Sequence, residues 1–446
     1  MEKLAFPILE YIERQRNFYS KLPKDTLLII PANPSAVRSN DVHYPYRANS
    51  YQMYLSGWNS QGAVLTAQYI DEKWITSLFV QSRDVTMEIW EGRRIGTERA
   101  KSEWPIDESY SLNDLIPKLE EFLKDCKQVH IIQNLSIEVD TLIHRVLTTK
   151  SRARNVSGTG PISITDPSSI LDEMRVIKSD LEIDLMKQSA ELASDAHILA
   201  MQASYSGINE FELQAVIEGY FVSNGSQWSY PSIVGGGDNG TILHYSKNNC
   251  PIEDGELVLV DAGCEIEGYA SDITRTWPVN GKFSEAQKEI YQLVLRAELA
   301  AIDACVIGAA WNSSHVVASK IIAQGLIDLG ILECDLQEAL GDNLDGEYRK
   351  FFMHGTSHFL GLDVHDVGIT KPDPESAGRS LEAGMVLTIE PGLYFGSWRS
   401  DVKFPQKYSK IAVRIEDDIL ITKKGPVVLT KNCPKTLKEI EKLVGN

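Results

Sequence analysis

Apolar and polar positions along the chain follow two rhythms, and the balance between them changes part-way. Residues 26–30 (TLLII) are a continuous apolar run of strand length. Residues 62–67 and 74–81 read as two strands around the polar turn Asp71-Glu72-Lys73. Leu112, Leu115, Ile116, Leu119 and Leu123 recur at helical spacing, and residues 129–132 form another short strand. Mixed short strands and helices predict an α/β domain. Residues 150–169, rich in Ser, Thr, Arg and Gly and holding Pro161 and Pro167, read as a linker. The expected domains are therefore residues 1–170 and 171–446.

The second part opens on long helices. Ser179 and Glu182 make a capping-box pattern ahead of a helix to about residue 203, and Asn209 is placed to cap the next, to about residue 223. A glycine-rich turn spans residues 235–240. It lacks the Lys-Ser/Thr of a phosphate loop and reads as a tight turn that lets a substrate approach the backbone, or equally as a plain structural turn. Residues 256–262 (ELVLVDA) are a strand with a hairpin partner in 268–279. Ser284 and Gln287 cap a third helix, residues 312–329 are a fourth, and 385–390, 411–416 and 419–422 return to strands. Helices in blocks beside antiparallel hairpins predict an α+β domain, not a doubly wound one.

Composition narrows the function classes. A chain of 446 residues exceeds one compact core. Its 44 basic and 62 acidic residues give a formal charge of −18, a field that repels nucleic acid and anionic lipid. Basic clusters are short, as at Arg93-Arg94. Six scattered cysteines form no C-x-x-C pair, so neither a zinc knuckle nor a disulfide framework is signalled. No apolar run spans a bilayer and no signal-type segment follows Met1, so a cytoplasmic protein without nucleic-acid or membrane partners is expected.

Acids at strand ends carry the chemistry. Asp261, Glu390 and Glu416 each close an apolar strand, and Asp272 lies on the strand returning from Asp261. Taken singly, each has a bland reading: Asp272 paired with Arg275, Asp261 capping a turn, Glu390 or Glu416 bonded to Arg414. The repetition favours convergence, because clustered carboxylates repel and need a cation. His354, His358 and His365 fall within one short stretch of a chain with nine histidines. His354 and His358 are spaced like a zinc-protease pair, but Gly355 stands where that motif needs Glu. Four acids and one imidazole suit two divalent ions of the Mn, Co, Fe or Zn type. Paired ions of this kind serve amide hydrolysis, with His365 and His244 available to hydrogen-bond the developing oxyanion. No G-x-S-x-G serine is present.

Five stretches of the second part resemble the pita-bread metallopeptidases: residues 242–245 (ILHY), 257–281 (LVLVDAGCEIEGYASDITRTWPVNG), 353–367 (MHGTSHFLGLDVHDV), 386–394 (VLTIEPGLY) and 413–422 (VRIEDDILIT). With residues 38–41, 43–47 and 88–94 (EIWEGRR), nearly the whole chain resembles the aminopeptidase P family. The resemblance implies a pita-bread catalytic domain after a smaller ribonuclease H-like, creatinase-type domain. It implies two ions, commonly Mn2+, held by Asp261, Asp272, His358, Glu390 and Glu416, and a bridging hydroxide that attacks the first carbonyl of an Xaa-Pro peptide. Glu390 would assist proton transfer, His365 would stabilise the tetrahedral species, and His244 would contact the scissile region. His354, Arg414 and Tyr394 would line the site. Trp90 of a neighbouring subunit would wall the pocket in a homotetramer, or a dimer. A prolidase with the same ligands is the nearest alternative. A methionine aminopeptidase would need no such first domain, and a metal-free creatine-type hydrolase or a non-catalytic peptide-binding relative would not keep all five ligating side chains.

Overall fold

The computed structural model describes residues 3–157, 160–373 and 375–445. The chain divides into two compact units, Met1–Met174 and Arg175–Asn446.

The first unit is built on a six-stranded mixed sheet, in the spatial order Glu108–Ser111, Lys73–Val80, Ala63–Ile70, Thr26–Pro31, Gln128–Ile131, Ser163–Thr165. Thr26–Pro31 is buried along its whole length, as its unbroken apolar run requires. The expected turn is a two-residue hairpin: Ile70 pairs with Lys73, and Asp71 and Glu72 both take positive φ, the geometry that matches strand twist. Helix Leu115–Asp125 buries Leu115, Leu119 and Leu123, the stripe its spacing announces. The linker expectation is corrected. Much of residues 150–169 is regular: helix Ile137–Ser157 continues into it, and Ser163–Thr165 adds a strand. Val139, Leu142 and Ile143 anchor that helix in the core near its start, and cooperative propagation carries it on through a polar sequence. Gly158 and Thr159, also in the expected linker, lie outside the described residues.

The second unit places its long helices where the capping patterns predict: Asp180–Ala203, Glu210–Ser223, Glu285–Asp303 and Ser313–Asp328. Capping boxes are formed at Ser179/Glu182, at Asn209/Glu212 and at Ser284/Gln287. They pack around small sheets. One orders Ile233–Gly236, Leu257–Asp261 and Thr274–Pro278, with Asp261 opposite Thr274. Another orders Val386–Ile389, Asp417–Thr422 and Gly425–Val428, and a ribbon pairs Gly392–Phe395 with Ile411–Arg414.

Two of these pairings belong to one long bent hairpin. Ile389 faces Asp417 and Gly392 faces Arg414, so the chain changes sheet on both sides at the same level. The residues at the bend are Glu390-Pro391 and Ile415-Glu416. Proline and the break in the ladder release both acids from sheet pairing at one place. Among the described residues no helix is long and apolar enough to cross a membrane.

Candidate metal centre

Asp261 is the last residue of a fully buried strand and is 9% exposed. Asp272 is 4% exposed and lies just before the antiparallel partner strand. The chain between them turns so tightly that a Cβ at Gly263 would lie 1.9 Å from the Ser271 carbonyl oxygen, so only glycine fits there. Glu416, 2% exposed, comes in from the bent hairpin, where its Oε2 accepts a hydrogen bond of 2.6 Å from Thr274 Oγ1. Residues 356–359 run beside Val386–Ile389: His358 O accepts from Thr388 N, and Thr356 O accepts from Glu390 N, both at 3.0 Å. That alignment brings His358 Nε2 to 3.4 Å from Asp272 Oδ2 and 3.9 Å from Glu390 Oε1. Asp272, His358 and Glu416 can each offer one ligand atom with all three within 4.8 Å of one another.

Asp261 joins this group through two fixed neighbours. Arg414 donates to its Oδ2 at 2.6 Å, and the Tyr230 hydroxyl lies 2.5 Å from both Asp261 Oδ1 and Asp272 Oδ1. Asp272 N donates to the buried Asp418 at 3.2 Å. Tyr230, Thr274 and Asp418 were not singled out from the sequence. A tyrosine between Ser229 and Pro231 carries no periodic signal, and its role appears only once both aspartates are placed.

The residues fit divalent ions on their electrostatics and on donor chemistry. Burial, then the neighbouring acids, push Glu416 well above the usual carboxylate range. Burial raises Asp261 despite the opposing charge of Arg414. Burial lifts Glu390 to about 7 against the pull of His358 and Arg414. Burial works against a charge on His358, but Asp272 and Glu390 outweigh it and raise that imidazole to about 9. Each of these shifts shows a cluster whose negative charge calls for neutralisation, which divalent cations can supply. His358 Nδ1 is engaged with the Phe359 carbonyl at 2.9 Å, which leaves Nε2 as the nitrogen it could offer to a metal ion.

A histidine arc flanks the acids. His365 stands edge-on to His358, ring centroids 4.5 Å apart, and its pKa is lowered by burial, then by His358, with His244 acting in the same direction. The neighbouring Asp366 is pinned by Arg175 at 2.5 Å and Lys178 at 3.0 Å. His354 Nε2 lies 2.8 Å from the Tyr394 hydroxyl, which accepts from Arg414 Nη1 at 2.9 Å. Burial, then Arg414, hold His354 neutral, at about 3. With His354 Nδ1 facing the Gly355 carbonyl at 2.7 Å, the consistent assignment runs Arg414 to Tyr394 to His354, each donating to the next. A recess of about 470 Å³ adjoins Tyr394, lined by Ile242, Leu243, Met353 and Trp398 among others. Trp90 lies in the first unit, 83% exposed on helix Val85–Glu91.

The glycine-rich turn has a structural role. Gly235, Gly236, Gly237 and Gly240 are buried, and a Cβ at Gly235 would lie 2.7 Å from Gly240 N. The two arms of the turn pack on each other at a spacing that only glycine permits.

Comparison with known proteins matches the same regions. Residues 184–423 match the metallopeptidase family M24 model, and residues 11–132 match the aminopeptidase P N-terminal domain. The chain is 39% identical to the Xaa-Pro aminopeptidase of Haemophilus influenzae, over 98% of this chain and 97% of that one. It superposes with a TM-score of 0.92 on Escherichia coli aminopeptidase P with the inhibitor Pro-Leu, at 38% identity and 98% coverage of each chain. An aminopeptidase of Pseudomonas aeruginosa gives the same TM-score at 37% identity, covering 100% of this chain and 99% of that one. A buried acid and histidine cluster on this fold, matched over nearly its full length, places the chain in metallopeptidase family M24, alongside the Xaa-Pro aminopeptidases.

Proposed function

We propose that this metallopeptidase removes the first residue from peptides whose second residue is proline, with two divalent ions, most suitably Mn2+, held by Asp261, Asp272, His358, Glu390 and Glu416. One observation carries the proposal: the bent hairpin and the tight Asp261–Asp272 turn gather four acids and one imidazole beside a histidine arc. Bound there, the ions would supply an acidified water and a Lewis acid for the scissile carbonyl.

The chain's own groups supply the rest. Glu390, which lies 3.9 Å from His358 within the acid cluster, can take a proton from the attacking water and return it to the leaving nitrogen. His365, edge-on to His358 and next in the chain to the ion-paired Asp366, can donate to the developing oxyanion. His244, exposed on the 242–245 stretch, would contact the scissile region. Burial and Arg414 keep His354 neutral, and Tyr394 orients it. A prolyl nitrogen has no N–H, so recognition must rest on shape, and the apolar recess beside Tyr394 offers such a surface. Assembly as a homotetramer or dimer, with Trp90 of the 1–170 domain walling a neighbouring copy's pocket, and residence in the cytoplasm belong to the same proposal.

The test is hydrolysis of Xaa-Pro-Yaa tripeptides and Xaa-Pro dipeptides by chelator-stripped protein, with and without added Mn2+. Metal-dependent release of the first residue from tripeptides is expected. Cleavage of dipeptides alone would make the chain a prolidase, and cleavage of neither with metal bound would leave a peptide-binding protein.

A further inference from the structure

Glu210 is 0% exposed and opens helix Glu210–Ser223, behind its cap Asn209. Its Oε1 accepts from Gly236 N and Asn239 Nδ2, both at 2.9 Å, and its Oε2 accepts from the Tyr245 hydroxyl at 2.9 Å and Cys250 N at 3.0 Å. The four acceptor positions of one carboxylate are thus filled by four neutral donors, and the helix N-terminus favours the negative charge. All four donors lie on one stretch of chain, residues 236–250. Asn239 also donates to the Tyr245 hydroxyl at 3.0 Å, which closes the ring of contacts. The same stretch is tied on its other side by Trp398 to Thr241, at 2.9 Å, and by Ser397 N to Asp238, at 2.8 Å.

His244 lies inside this stretch, exposed, next to the pinned Tyr245, whose ring is buried with that of Tyr394. We infer that Glu210 is a positioning residue for His244, acting through Tyr245 and the buried glycine turn. The inference rests on the peptidase reading above. A neutral isostere shows why the charge is needed. Whichever way a glutamine amide turned at position 210, its NH2 would face a fixed backbone N–H, that of Gly236 or of Cys250, and the stretch carrying His244 would have to shift. None of the Glu210 contacts touches Asp261, Asp272, His358, Glu390 or Glu416, so metal binding should be spared.

The experiment is a double-mutant cycle on the full chain, with Mn2+ binding by calorimetry and hydrolysis of an Xaa-Pro-Yaa tripeptide as readouts. Glu210→Gln is expected to keep wild-type Mn2+ affinity and to lose about 10- to 100-fold in kcat/KM. In a His244→Ala background the same change should cost less than about 2-fold. Tyr245→Phe, which removes one of the four donors, should show the same pattern at smaller size, and it decides the matter if Glu210→Gln does not fold. Unchanged kcat/KM, weakened Mn2+ affinity, or losses that multiply in the His244→Ala background would each overturn the inference. A wild-type chain that releases nothing from tripeptides would instead overturn the peptidase reading.

Discussion

Arg414 reaches Asp261 across 2.6 Å, so one of the four acids at the centre already has a fixed cation of the protein's own. The same guanidinium donates to Thr274 and Tyr394, both at 2.9 Å. A lysine keeps the charge but cannot fork to three partners. Arg414→Lys should therefore retain its fold by circular dichroism and lose about 10- to 100-fold in kcat/KM on a tripeptide, equivalent to about 1.4–2.7 kcal/mol. Near-wild-type kcat/KM would show that only the charge matters.

Asp272 touches His358, Tyr230 and the Asp418 shell at once. Asp272→Asn removes the charge of a proposed ligand with little change in volume. Tripeptide hydrolysis should fall below detection, and metal analysis should show less than the wild-type content in a folded chain. Full activity in this variant would sink the dinuclear proposal.

The Tyr230 hydroxyl lies between two acids and donates its one proton to one of them at a time, and a hydrogen bond to a charged group contributes roughly 1.5–3 kcal/mol. Tyr230→Phe should lower the stability of the chelator-treated chain by about 1–3 kcal/mol in urea unfolding. The loss should shrink once Mn2+ is added, because the ions then neutralise the same carboxylates. Equal losses with and without Mn2+ would contradict this account.

The stability of the chelator-treated chain should fall with rising pH while the contribution of metal grows. In the ion-free chain His358 is raised from 6.5 to about 9 and Glu390 from 4.5 to about 7, so the folded state holds protons that the unfolded chain has released. Stability from such groups is present at low pH and is lost as pH rises through the folded values. Below about 6.5 the depressed His354, His197 and His315 act in the opposite sense, which leaves pH 6.5–9 as the informative window. Across it the Tm of chelator-treated protein should fall, and the Tm gain on adding Mn2+ should grow. A gain that shrinks toward pH 9, with the metal still soluble, would contradict proton–metal competition.

Much of this centre can be read from local pattern, because a carboxylate closing an apolar strand needs a cation or hydrogen-bond donors beside it, and here the pattern repeats. That reasoning finds Asp261, Glu390 and Glu416 one at a time, and the capping boxes find the helices. It does not reveal that Glu390 and Glu416 face each other, since that depends on the register Ile389 to Asp417 and Gly392 to Arg414 across two sheets. Tyr230 and Glu210 leave no periodic trace, because each acts through one polar atom at the end of a side chain. Helix Ile137–Ser157 is misread for a related reason: its apolar anchors sit near its start, and its later turns have the composition of a loop.

The bent hairpin also bears on how the chain comes to life. Its two arms meet only when Ile411–Arg414 and Asp417–Thr422 have been laid against their partners, and Glu416 sits between those strands. A ribosome-bound nascent chain that has emerged only as far as His358 would carry three of the five proposed ligands, with no opposing arm to fix them. Hydrolytic competence is therefore deferred to the last stages of synthesis, and a chain cut short before Glu416 would be a peptidase without a working centre.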